Sequence, residues 1–102
     1  EVAGCCCMKI SVTSTGAYFA RCYYNIVDDL GSIQLDTGVI SAGQTRDTIV
    51  SDFVHTMKIR CENQRFINTW GSIFEFQTSQ AQSICFEISG TTYHPKYSYT
   101  FC

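Results

Sequence analysis

Apolar and polar residues alternate along most of this chain with a period of two, as in "MKISVT" (residues 8–13) and "ICFEIS" (84–89). That period places every second side chain on one face of an extended strand. β-Branched and aromatic residues fill the runs, while the good helix formers Leu, Glu, Lys and Ala are scattered. The pattern predicts strands over residues 8–13, 17–27, 32–40, 45–50, 54–61, 72–76, 83–89 and 96–101. Turn signals separate them: Ser14-Thr15-Gly16, Asp28-Asp29-Leu30-Gly31, Ser41-Ala42-Gly43-Gln44, Ser51-Asp52-Phe53, the long stretch 62–71, residues 77–82, and "GTTYHP" at 90–95. The fold class expected is all-β, an antiparallel β-sandwich of about eight strands. No linker, repeat or low-complexity segment breaks the pattern, so residues 1–102 are read as one domain with a Cys-rich segment at 1–7.

Successive antiparallel strands each carry the chain across the molecule once, so alternate turns share an end. One end then holds the turns at 14–16, 41–44, 62–71 and 90–95, with Phe66, Ile67, Trp70 and Tyr93 and few charges beyond Glu62 and Arg65. The other holds Asp28, Asp29 and Asp52. The first end has the composition of a contact surface. In "GTTYHP" the glycine and proline suffice for the turn, which leaves Thr91, Thr92, Tyr93 and His94 for local packing or for contact with a partner. An aromatic residue at a loop tip suits glycans and membrane interfaces. Phe66, Ile67 and Trp70 lie in a stretch longer than the usual hairpin connection, and exposed together they would form an apolar patch.

Seven cysteines in 102 residues, at 5, 6, 7, 22, 61, 85 and 102, lack metal-ligand spacing: three are contiguous, there is no CxxC, and His55 and His94 stand apart. Disulfides in an oxidising compartment are expected instead, with no metal and no cofactor. The chain begins with Glu1 and shows no apolar leader, which is read as a mature secreted, extracellular protein. An odd count leaves at least one cysteine free, capped or joined to a second chain, and the Cys5-Cys6-Cys7 cluster is the place expected for it. If strand 83–89 pairs with the last strand about a tip near Tyr93-His94, facing residues sum to about 187 and Cys85 opposes Cys102. Cys22 and Cys61 pair with each other or with the N-terminal cluster. Seven basic residues, scattered singly, against nine acidic ones give a formal charge of −2, which argues against nucleic acid. No Ser/His/Asp or Cys/His arrangement has a supporting motif, so no enzymatic role is assigned. Asp28-Asp29 reads as turn chemistry.

Three pieces taken in order, "TGAYFAR" (15–21), "MKIR" (57–60) and "GTT" (90–92) with Pro95 following, resemble the C-terminal membrane-binding domain of the cholesterol-dependent, thiol-activated cytolysins. The resemblance runs from about Met8 to Phe101 and implies a β-sandwich with its membrane loops at one end, the end that turn counting selects. By this resemblance Ala17 and Ala42 match small residues of two membrane-facing loops, and Thr92 matches the threonine of the family's sterol-recognising Thr-Leu pair. Tyr93 stands where the family has leucine. The family's tryptophan-rich undecapeptide falls on 62–72, here "ENQRFINTWGS": Trp70 matches one tryptophan, Glu62 occupies the place of the cysteine, and Cys61 precedes it.

The function expected is therefore that of a free-standing, disulfide-stabilised, non-enzymatic domain. It binds a membrane sterol or lipid, or a cell-surface glycan, through Ala17, Ala42, Phe66, Ile67, Trp70, Thr91, Thr92, Tyr93 and His94. The alternative is a toxin-like or immunomodulatory ligand of a receptor protein, as a disulfide-linked homodimer.

Overall fold

The structure, a computed structural model, describes residues 7–51, 54–79 and 82–102. Among the described residues eight strands form: β1 (Cys7–Ser14), β2 (Ala20–Asp28), β3 (Gly31–Asp36), β4 (Thr45–Ser51), β5 (Thr56–Phe66), β6 (Thr69–Thr78), β7 (Ile84–Thr91) and β8 (His94–Phe101). They make two four-stranded sheets, ordered β4-β1-β7-β8 and β3-β2-β5-β6. All pairings are antiparallel except that of β1 with β7, the first strand lying parallel to the seventh at the centre of its sheet.

The inward positions are those the alternation marks. Ile10 and Val12 of β1 face Ile84, Phe86 and Ile88 of β7 in one sheet, and Cys22, Tyr24 and Ile26 lie beside Met57, Ile59 and Cys61 in the other, all buried. Burying side chains of this size contributes about 1.5–3 kcal/mol each. Along the side where β6 and β8 approach, Phe74 stacks between Phe86 (5.0 Å between ring centroids) and Tyr97 (4.3 Å), and Phe76 packs on Tyr99 (4.7 Å). These rings close the gap between the sheets on that side.

The turns divide as counting predicts. The register puts residues 15–19, 37–44, 67–68 and 92–93 at one end, and 29–30, 54–55, 79 and 82–83 at the other. Three expectations need correction. The stretch 62–71 is a hairpin, not a long loop: β5 and β6 stay paired as far as Phe66 opposite Thr69, and Asn68, at φ 61°, turns the chain. No glycine or proline marks that turn in the sequence, so the pattern there predicts strands that end early. Secondly, the expected strands at 17–27 and 32–40 are shorter, since β2 starts at Ala20 and β3 stops at Asp36. Ile40 is held outside the strands by two backbone hydrogen bonds with Ala20, which bury its side chain. Thirdly, facing residues of β7 and β8 sum to 185, so Cys85 lies opposite Thr100 and not opposite Cys102. The tip is Thr92-Tyr93, one residue earlier than expected.

The Cys85–Cys102 disulfide nevertheless forms, diagonally, with Cα atoms 6.0 Å apart. Cys22 and Cys61 pair with each other directly across β2 and β5, with Cα atoms 4.0 Å apart. Cys22 directs its backbone N–H and C=O toward Thr37, so it meets Cys61 at a non-hydrogen-bonded position, where strands lie closest. Cys5, Cys6, Asp52 and the side chain of Cys7 lie outside the described residues.

Candidate functional site

Each loop at the first end carries an apolar residue into solvent. Phe66 (71 % exposed) and Ile67 (74 %) project at the β5–β6 turn and Tyr93 (63 %) at the β7–β8 turn, while Phe19 and Val39 are about half exposed in the other two loops. Ala17 and Ala42 are exposed in these same two loops, and Thr91 and His94 are exposed at the base of the Thr92-Tyr93 turn, paired across it. Four loops with five large apolar tips at one end is not how a sandwich buries its core. A concentration of exposed apolar side chains makes this end a candidate interaction site.

The loops are tied to one another by their backbones. Residues 15–19 run between the two hairpins: Ala17 N–H donates to Gly90 O (3.2 Å), and Gln64 N–H donates to Phe19 O (2.9 Å). The Tyr18 side chain is buried beneath them, with its hydroxyl donating to Ser89 O at 2.7 Å. Burial raises that hydroxyl to a pKa of about 12. The 37–44 loop joins through Gly43 N–H to Ser14 O (2.6 Å) and Ser14 N–H to Gln44 O (2.9 Å). Gly90 adopts φ +88°, and a Cβ there would strike the His94 carbonyl, so only glycine lets β7 enter this hairpin.

The charges near the tips are engaged. Glu62 accepts from Arg21 Nε at 2.6 Å on the outer face of the sheet. The Arg65 guanidinium donates to Asn63 Oδ1 (3.2 Å) and to Ser72 O (3.1 Å). Asn63 is fully buried and its Nδ2 donates to Thr92 O at 2.8 Å. Tyr93 in turn donates its hydroxyl to Arg65 O at 3.1 Å.

Trp70 is not brought to the tips. It sits opposite Gln64 on the sheet ladder, half-buried, with the Arg21 guanidinium 3.9 Å from its ring centroid and the Tyr23 ring beyond. It is the upper end of a stack of rings and guanidiniums that continues to Arg60 over Tyr23 (5.2 Å). Below it the same outer face holds an open groove of about 600 Å³, lined by Tyr23, Asn25, Gln34, Asp36, Lys58 and Arg60 among others. At the opposite end of the molecule Asp28 caps Leu30 N–H, and His55 contacts Asp29. Among the described residues no cluster of His, Cys, Asp or Glu is arranged to hold a metal ion.

Sequence reasoning missed Phe19, Val39 and Asn63. The first two fell within strands expected to run further, and Asn63 within an expected loop. The signal available for Asn63 was the inward series Met57, Ile59, Cys61, where the next alternate position turns polar.

No protein-family model matches the chain, and no curated protein matches it by sequence. Solved structures do. The isolated membrane-binding domain of pneumolysin superposes with a TM-score of 0.74 at 14 % identity, covering 92 % of this chain and 96 % of that one. The fold is that of the cytolysin membrane-binding domain. A non-hemolytic pneumolysin from Streptococcus pneumoniae strain ST306 superposes with a TM-score of 0.74 at 14 % identity, covering 94 % of this chain and 24 % of that one. Suilysin from Streptococcus suis gives 0.73 at 10 % identity, with 92 % and 23 % covered. The chain thus spans about a quarter of the length of these cytolysins and nearly all of the excised domain.

Proposed function

We propose that this protein is a secreted, non-enzymatic binding module that docks on a membrane through the loop end, with a lipid or sterol as the component recognised. The observation that carries the reading is the exposure of Phe19, Val39, Phe66, Ile67 and Tyr93 on four tied loops, in the fold of a membrane-binding domain. Side chains at such tips gain by leaving water for the interfacial region, and Tyr93 has the amphipathic ring that this region favours. Thr92 contributes its backbone, which holds the turn. Trp70 serves by supporting the hairpin from the outer face.

The test is co-sedimentation with liposomes that differ only in cholesterol content, at one ionic strength, comparing the native protein with Phe66→Ala and Ile67→Ala. Each truncation is expected to weaken pelleting about tenfold, since it removes on the order of 1.4 kcal/mol of apolar transfer. Pelleting that rises with cholesterol supports a sterol, and equal pelleting supports phospholipid. Variants that pellet as well as the native protein would sink the loop-end proposal.

A further inference from the structure

Asn63 occupies the fourth inward position of β5, after Met57, Ile59 and Cys61, and like them it is fully buried. A buried amide is costly unless both its ends are satisfied. Here both are, and by different hairpins: Oδ1 accepts from Arg65 Nε of the β5–β6 hairpin (3.2 Å), and Nδ2 donates across the sandwich to Thr92 O in the β7–β8 turn (2.8 Å). The Tyr93 hydroxyl then returns from that turn to Arg65 O (3.1 Å). The three hydrogen bonds close a ring that joins the strand beneath Phe66-Ile67 to the tip bearing Tyr93. No residue of β6 stands opposite Arg65 in the ladder, because the register shifts between Gln64 opposite Trp70 and Phe66 opposite Thr69. Arg65 lies over Gly71, where any Cβ would overlap its guanidinium.

We propose that Asn63 is a positioning residue that fastens the two hairpin tips into a single rigid docking platform, so that Phe66, Ile67 and Tyr93 meet a membrane together. This rests on the membrane reading above. Two tips on independent loops would each have to be ordered on contact, whereas a platform ordered in the free protein avoids that cost and lets the second tip engage once the first is anchored. No residue of the ring needs to touch lipid through its polar atoms for this effect.

The experiment combines backbone ¹⁵N relaxation on the free, oxidised protein with partition onto vesicles of phosphatidylcholine with and without cholesterol. It uses Asn63→Leu, which keeps the volume and removes both amide bonds, and Tyr93→Phe, which removes only an exposed hydroxyl and carries the test if the first variant does not fold. In both variants residues 66–68 and 92–93 are expected to fall together from rigid order parameters of about 0.85 toward about 0.6. Vesicle affinity is expected to drop on the order of tenfold, the worth of one such hydrogen bond. Tips that stay as ordered as in the native protein overturn the proposal, and so do loosened tips with unchanged affinity. A native protein that ignores every vesicle overturns the membrane reading instead, and relaxation of the free variants still decides whether Asn63 fastens the tips.

Discussion

At Gly71 a single hydrogen atom decides whether Arg65 can lie where it does. A methyl group there would displace the guanidinium from Asn63 and from the Ser72 carbonyl, because the added Cβ and the guanidinium claim the same space. Gly71→Ala is therefore expected to cost about 1 kcal/mol, the worth of the hydrogen bonds that the guanidinium gives up. Denaturant melts should show the loss, and vesicle binding should weaken in the same variant. An alanine tolerated without change in either would mean that Arg65 adapts freely. Neither Gly71 nor Asn63 was legible as functional in the sequence, since each draws its role from a partner brought near by sheet register. Phe66, Ile67 and Tyr93 were legible as exposed apolar tips, because large apolar residues at turns stand out against the polar composition that turns normally have.

Among the elements, the strands were readable where one face is buried and the other wet, as in β2 with its strict alternation of buried and more exposed positions. The β5–β6 hairpin was not, and for a physical reason: toward its tip the inward side becomes polar at Asn63 and Arg65, so the alternation disappears although the strands continue. Trp70 was accordingly assigned to a loop tip when it belongs to a ladder. The pairing of Cys22 with Cys61 also needed the structure, since it depends on a register between strands far apart in sequence. The two described disulfides differ in access. Cys22–Cys61 is fully buried in the core, whereas Cys85–Cys102 ties the open end of the β7–β8 hairpin with Cys102 exposed. Mild reductant followed by alkylation and mass mapping should label Cys85 and Cys102 before Cys22 and Cys61. Loss of that bond alone, over a separation of 17 residues, is expected to lower stability by about 3 kcal/mol in the chain-entropy account. Equal labelling of all four cysteines would show that the native core opens as readily as its edge.

For the molecule as a whole, the buried tyrosines set the alkaline limit. Burial holds the Tyr18 hydroxyl at a pKa of about 12, against about 10 when unfolded, and burial pushes Tyr24 upward as well. The folded form thus keeps protons that the unfolded chain releases. The stabilisation is complete below pH about 10 and is lost as pH rises through about 12. Melting temperature should decline across that window, and Tyr18→Phe should make the decline shallower. An equal slope in the variant would assign the alkaline loss elsewhere.

The parallel union of β1 with β7 carries a consequence for how the protein comes into being. One of the two sheets joins the first and fourth strands to the seventh and eighth, so β1 has β4 for a neighbour while β7 and β8 are still unsynthesised, and its other edge stands open. A nascent chain at this stage has a complete β3-β2-β5-β6 sheet in sequence but nothing to lay across much of its inner face. Folding must then wait for the last hairpin to be made, the same hairpin that presents Tyr93. The loop end cannot exist before β7 and β8 are made, and a molecule without them exposes an apolar face and a free strand edge, the surface that chaperones cover and aggregates grow from.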